Sequence, residues 1–429
     1  MRLTPSRRVL ALGAILLLAL VHCSRNVNNL GEPSFIIWLA VAGAAYLLTI
    51  RELFCAREFP KRVIVIGLAL AAVWHFLFLL KPPGLDDDIH RYVWDGRVQR
   101  LGYNPYVVIP SDPAVSSLHT AETRTLNHPD LPSPYPPGAQ LFFRAVTTIR
   151  ESVFALKVAF VICDFAIALL LLEGLRRTRQ PMHWVLAFAW NPLLGTEVAG
   201  SGHVDVVGAL LLLASVAALE RRWRAAAAVA FALAVSVKFL PIVLVPLYWR
   251  RLRIRDALLA VFVFALLYLP FLDKKRIPIG SLGTYVHSFR FNAPVFTALE
   301  RIMAPQVIVA LALLAGFFVA IRMRRSDPMT SGAFAWPMAA FLLCAPVVYP
   351  WYLLWLLPFL HLTSTLPIII WTVSIIPTYY VWHLRALGRP WLVPGWIMLL
   401  EYGSVAIAAA MIFLRRTTRP AALQRSADQ

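Results

Sequence analysis

The sequence predicts an all-α integral membrane protein of about 14 helices that crosses the bilayer many times. Three observations carry that prediction. Of 429 residues, 59% are hydrophobic and 15% are charged, whereas soluble domains average about 25% charged. The apolar residues form long unbroken runs, many near the roughly 20 residues a membrane helix needs, and lack the alternation of an outer-membrane barrel. The basic residues, which take the formal net charge to +19, sit in short clusters between those runs. A soluble enzyme, a disordered chain and a coiled coil are excluded.

The apolar runs lie at about 9–22, 34–50, 63–80, 152–173, 183–199, 204–219, 225–249, 256–271, 303–321, 332–347, 351–363, 364–382 and 392–414. The first follows a basic start, as in a signal peptide, but shows no clear small-residue cleavage site, so a retained span is expected. An inside N-terminus puts Lys61 and Arg62, Arg176 and Arg177, and Arg221 and Arg222 in cytoplasmic loops, as the positive-inside rule asks. With a hairpin at 225–249, both termini are cytoplasmic.

The run 225–249 breaks this alternation, because Arg221, Arg222 and Arg224 precede it and Arg250, Arg251 and Arg253 follow it. Two cytoplasmic flanks require a hairpin of two short helices, with Lys238 at the external tip and Pro241 opening the second arm. Such broken helices are tolerated where they line a cavity. No basic face interleaved with aromatics appears, so no nucleic-acid partner is expected. Cys23, Cys55, Cys163 and Cys344 form no metal-like spacing.

Residues 81–150 stand apart. They hold 10 of the 31 prolines and 7 of the 22 acidic residues. A loop this long is functional or disordered, and its aromatics argue against disorder. Residues 86–101 read as an amphipathic helix, with Ile89, Tyr92 and Val93 on one side and Asp88, Arg91 and Asp95 on the other. A structured cap with helices lying on the membrane surface is expected, with Arg91 and Asp95 as an exposed pair. Asp86, Asp87 and Asp88 begin it. Adjacent carboxylates repel, so the run is either a helix cap with a solvated turn or a general base or metal site. In the latter case it can hold Mg²⁺ or Mn²⁺ at a phosphate, although no second carboxylate cluster is obvious.

Other polar residues carry two readings each. Lys238 lies in a strongly apolar segment, where an ionisable group is functional by default. His203 and Asp205 fall on the turn Gly200–Asp205, which is either a site or a solvated helix start. Asp164 lies mid-span, as a structural partner of a neighbouring helix or as part of the site. Arg290, Trp351 and Tyr352 are interfacial anchors or binding residues.

Gly84-Leu85-Asp86-Asp87-Asp88, Arg91-Tyr92-Val93-Trp94-Asp95-Gly96-Arg97-Val98 and Gly102-Tyr103-Asn104-Pro105-Tyr106 resemble the first external loop of bacterial polyprenol-phosphate-mannose-dependent mannosyltransferases. These belong to the C-type (GT-C) membrane glycosyltransferase superfamily. Asn127-His128-Pro129, Tyr135-Pro136-Pro137, Asn191-Pro192, Gly202-His203-Val204-Asp205, Lys238 with Pro241, Phe291-Asn292 and Pro350-Trp351-Tyr352 extend the likeness from about residue 84 to 360.

The resemblance implies one catalytic unit over 1–429. A hexose, mannose in this family, would move from a polyprenyl-phosphate donor to a hydroxyl of a glycan or glycolipid acceptor. Transfer would occur on the external face of the cell membrane, with inversion. Asp86, Asp87 or Asp88 would be the base, with Asp87 slightly preferred. Lys238, Arg91, Arg290 and His203 would hold the donor phosphate. Asp205, Tyr135, Asn127, His128, Trp351 and Tyr352 would hold sugar or acceptor. The resemblance fixes no cofactor and leaves room for a divalent cation, Mg²⁺ or Mn²⁺. A transporter or lipid flippase is the main alternative, but it predicts inverted repeats and charges near the midplane, and no internal repeat is found. A non-catalytic assembly subunit would have no reason to gather three carboxylates and a buried lysine.

Overall fold

The computed structural model describes residues 4–26, 31–84, 87–273, 278–329, 332–361 and 363–425, with side chains as far as residue 414. Asp86 lies outside the described residues. The helices before the long loop are α1 (Pro5–Arg25), α2 (Pro33–Cys55) and α3 (Lys61–Leu79). The loop carries α4 (Asp88–Arg100) and α5 (Pro137–Ile149), and α6 (Val153–Arg177) follows. Next come α7 (Val185–Ala189), α8 (Asp205–Glu220), α9 (Arg224–Val237), α10 (Val245–Tyr248) and α11 (Ile254–Tyr268). The last third adds α12 (Leu282–Ser288), α13 (Pro294–Leu299), α14 (Pro305–Met323) and α15 (Trp336–Leu343). It ends with α16 (Leu366–Ser374), α17 (Tyr380–Ala386) and α18 (Gly395–Arg425).

The protein is an all-α, multi-pass membrane protein. Among the described residues, 8 helical segments are long and apolar enough to cross a bilayer: α1, α2, α3, α6, Ile254–Phe271, α14, Thr363–Ala386 and Gly395–Leu414. The shortest, at 18 residues, rises about 27 Å at 1.5 Å per residue, close to the hydrocarbon thickness. Local signals start these helices. The Thr4 hydroxyl accepts the Arg7 N–H ahead of Pro5 at the first position of α1, and Ser152 likewise caps α6.

The expected runs 183–199, 332–347 and 351–363 are not spans of that length. They fold into short helices and turns packed inside the bundle, because Pro192, Pro337 and Pro358 interrupt them. A π-helix, Leu194–Ser201, meets α8 at 119°, making one broken element of what read as two runs. The break expected at Lys238 is present. Val237 ends α9, Lys238 is extended at φ −158°, and Pro241 sits in the 3₁₀ turn Leu240–Leu244.

The loop 81–150 is folded over the bundle. Ile89, Tyr92 and Val93 of α4 enter the main core, while Trp94 and Val98 form a second small core with Val115 and Leu126. The helix is therefore covered on both faces, not lying half-solvated on a surface. Its polar side is buried because Arg91 and Asp95, 2% and 0% exposed, neutralise each other at 3.1 Å. The expected exposed pair is thus a buried one. The amphipathic helix of this loop is α5, which buries Ala139, Gln140, Phe143 and Thr147 on one side. Tyr92 stacks on Phe143 at 4.4 Å, and Gln99 and Asp95 both bond to Gln140 at 2.8 Å.

Two buried polar contacts tie the spans together. His75 of α3 meets Asp164 of α6 at 2.8 Å, so Asp164 has the helix-to-helix role. Glu401 of α18 accepts from Asn292 at 3.0 Å and from Trp371 at 2.6 Å, which pins the segment before α13 to the last helix.

Candidate active site

Three chain breaks build the site: the start of α4, the turn between the π-helix and α8, and the tip after α9. At the turn, Gly202 has φ +83°, a conformation that favours glycine. A Cβ there would also lie 2.4 Å from Ile89 Cδ1. Glycine therefore lets the turn close onto the first residues of α4 and brings His203 toward Asp88.

Asp88 and His203 face each other, with Asp88 Oδ2 3.9 Å from His203 Nδ1. The other carboxylate oxygen of Asp88 accepts from the Asn127 amide. His203 is fully buried. Its Nε2 lies 3.0 Å from Glu197 Oε2, and its ring stacks on Trp351 at 4.0 Å with planes 9° apart.

Asp205 opens α8 and is 1% exposed. Its Oδ1 accepts from Lys238 Nζ at 2.8 Å and from Trp355 Nε1 at 2.7 Å. Its Oδ2 is buried and accepts no hydrogen bond from the described residues. The Lys238 ammonium also sits 3.8 Å over the Tyr352 ring. The Tyr352 hydroxyl pairs with that of Tyr285.

Two hydroxyls at the rim feel the Asp88 charge. Burial pushes the Tyr135 phenol well above its usual range, and Asp88 adds to the shift. Tyr285 is raised by burial, then by Tyr352 and Tyr349, and also by Asp88. A negative charge at Asp88 thus lies within reach of both rings.

Eight expected residues therefore converge: Asp88, Asn127, Tyr135, His203, Asp205, Lys238, Trp351 and Tyr352. Trp351 is only 6% exposed, which is not the setting of an interfacial belt. Asp87 is the N-cap residue of α4, and its side chain makes no capping bond.

The remaining expected residues sit elsewhere. Arg91 donates to Asp95, to the His128 carbonyl at 3.3 Å and to the Leu131 carbonyl at 2.8 Å. Its guanidinium thus fastens the loop. Arg290 pairs with Glu300 at 2.5 Å and lies 4.6 Å over Phe296. The structure commits both arginines to protein partners. The His128 ring packs against Phe289 at 4.8 Å, and burial holds its imidazole below the usual range. Burial likewise pushes the Asp95 carboxyl up, against the pull of Arg91, Ser133 and Gln140.

Sequence reasoning missed Glu197, Tyr285, Tyr349 and Trp355. A carboxylate inside the apolar run 183–199 was the available signal for Glu197. The aromatics carried none. Among the described residues no three His, Cys, Asp or Glu side chains are grouped to hold a metal ion.

The arrangement offers a carboxylate, an imidazole and an ammonium among stacked aromatic rings. Such a set can take a proton from a hydroxyl and stabilise a departing phosphate.

A family model described as "Alpha-(1->6)-mannopyranosyltransferase, N-terminal domain" matches residues 8–251. That range includes Asp88, Asn127, Tyr135, Glu197, His203, Asp205 and Lys238. Among solved structures, the chain is similar to ArnT from Cupriavidus metallidurans, whose crystal structure is bound to undecaprenyl phosphate. Identity is 15% over 82% of this chain and 74% of that one, with a TM-score of 0.46. No curated protein matches the sequence.

Proposed function

The chain belongs to the alpha-(1→6)-mannopyranosyltransferase family, and from that premise we propose that it moves mannose from a polyprenyl-phosphate donor to an acceptor hydroxyl with inversion. It is a membrane glycosyltransferase of the GT-C kind. The observation that carries the finer reading is the convergence of Asp88, His203 and the Lys238–Asp205 pair beneath the 81–150 loop.

Asp88 is the general base in this reading. The geometry favours it over Asp87 because Asp88 faces His203 at 3.9 Å and Asn127 holds its second oxygen. The acceptor oxygen attacks the anomeric carbon as its proton passes to Asp88. The carbon–oxygen bond to the donor phosphate breaks, and polyprenyl phosphate leaves with the bonding electrons. Phosphate is already a good leaving group, so it needs charge stabilisation more than a proton. Lys238 and His203 supply that stabilisation. Tyr352 lines the sugar side, Trp351 backs the His203 ring, Tyr135 and Asn127 border the acceptor side, and Asp205 fixes the Lys238 ammonium.

The whole chain acts as one catalytic domain with loop 81–150 as its cap. The site faces the external side of the cell membrane, both termini are cytoplasmic, and the donor enters laterally from the outer leaflet. A glycan or glycolipid acceptor approaches from the water beneath the loop.

The test uses the purified chain in lipid nanodiscs with labelled polyprenyl-phosphate mannose. Transfer to a mannoside acceptor, with stoichiometric release of polyprenyl phosphate, is expected. Release of neither product, with donor and acceptor both supplied, would overturn the reading.

A further inference from the structure

Glu197 has no place in the scheme above, yet it is fully buried and stands on a π-helical segment. Single π-helical turns in otherwise regular helices recur at functional sites. Its carboxylate is carried into the bundle to meet His203, 3.0 Å from Nε2. The backbone doubles the link, since the carbonyl of Glu197 accepts the N–H of His203 at 2.9 Å. The opposite ring nitrogen, Nδ1, faces Asp88 at 3.9 Å.

A neutral imidazole carries one N–H and one bare lone pair. A ring with a carboxylate oxygen before each nitrogen places a lone pair against one of them. A doubly protonated ring meets both with N–H groups, and it also presents its cation to the face of Trp351, 4.0 Å away.

We propose that Glu197 is a positioning residue that holds His203 as an imidazolium between itself and Asp88, so that the site keeps a second fixed cation beside the base. The inference rests on the functional reading above. Glu197 touches no substrate; it acts through His203. The imidazolium orients the Asp88 carboxylate before reaction and stands ready for the phosphate as it departs.

The charged and titratable groups around His203 are few. Glu197 faces it from the π-helix and Asp88 from α4. Asp205 with its partner Lys238 lies two residues on. The Lys157 chain of α6 packs at Gly202, where a Cβ would lie 3.2 Å from its Cγ. Tyr349 stacks on the far face of Trp351 at 4.3 Å. Glu197 pairs with the ring at hydrogen-bond distance, 3.0 Å.

The experiment has two arms, and only the second needs activity. In the first, the chain carries ¹⁵N-labelled histidine, with H203N identifying the signal by its loss. Two protonated ring nitrogens at pH 7 are expected in the wild type, and one bare nitrogen in E197Q. One protonated and one bare nitrogen in the wild type overturns the proposal, whatever the activity. In the second arm, kcat is followed against pH. The uncharged E197Q cannot hold the proton, so the alkaline limb should move down by about one pH unit, and E197D should largely restore it. An E197Q enzyme that is merely weaker, with both limbs unmoved, also overturns the proposal. A wild-type chain with no transfer overturns the functional reading while the nitrogen spectrum still decides the state of His203.

Discussion

The Lys238 ammonium lies 2.8 Å from Asp205 Oδ1 and 3.8 Å above the Tyr352 ring. One acid and one aromatic face hold it at the point where α9 stops. The lysine is 23% exposed while its acid is 1% exposed, so the cation is the accessible member of the pair and the anion backs it. Removing the charge as K238M should cut kcat by about 10²–10³, the scale of one lost electrostatic stabiliser. K238R should recover part of it, because guanidinium restores charge but not the compact shape. Single-turnover rates at saturating donor check this, and an unchanged K238M rate would remove Lys238 from the phosphate site.

The two described acidic residues at the start of α4 should separate kinetically. D88N should lower kcat by about 10²–10⁴, the usual contribution of a general base. D87N should lose much less, since Asp88 is the carboxylate that meets His203 and Asn127. Parallel initial-rate measurements decide. Full activity in D88N, or a deeper loss in D87N, would move the base to another residue.

Arg91 and Asp95 should matter for folding first. The pair is buried at 3.1 Å, and the guanidinium also holds two carbonyls of the loop. D95A would leave an uncompensated buried cation, which costs about 3–5 kcal/mol. R91K should not rescue the loop, because an ammonium lacks the planar fork that reaches three acceptors. Denaturant titration in detergent gives the first quantity. Proteolysis within 101–136 reports whether the cap has come loose.

Much of this was legible in the sequence for physical reasons. The bilayer demands apolar runs, so spans such as α3 and α6 are written plainly. The double basic flank of 225–249 forced a break, and the break is at Lys238. The loop motif pointed to the run 86–88, with Asp87 preferred over Asp88, and to Asn127 and Tyr135, and the Gly202–Asp205 motif to the turn. What stayed hidden depends on which faces meet. Arg91 and Asp95 have the spacing of a solvated helical pair, and only the packing of α5 shows them buried. Glu197 reads as one polar residue in an apolar run until the π-helix turns it onto His203. Arg290 is basic and near the site in sequence, yet Glu300, ten residues on, takes its charge.

Gly208 offers the sharpest test of the inner wall. It lies on α8 one turn beyond Asp205, and a Cβ there would sit 1.9 Å from Trp355 Cη2. No side chain fits without moving the indole, and that indole donates the 2.7 Å bond to Asp205. G208A should therefore displace Trp355 and cost a bond to a charged acceptor, worth about 1.5–3 kcal/mol, or roughly 10–100-fold in rate if the bond serves the transition state. Loss of rate alone does not separate this from misfolding. The double variant G208A/W355F does, because the smaller ring relieves the clash without supplying an N–H. Its thermal midpoint should return toward wild type while transfer stays low, matching W355F alone. If the double variant regains full activity, the Trp355 donor is only packing, and Asp205 is held by Lys238 without it.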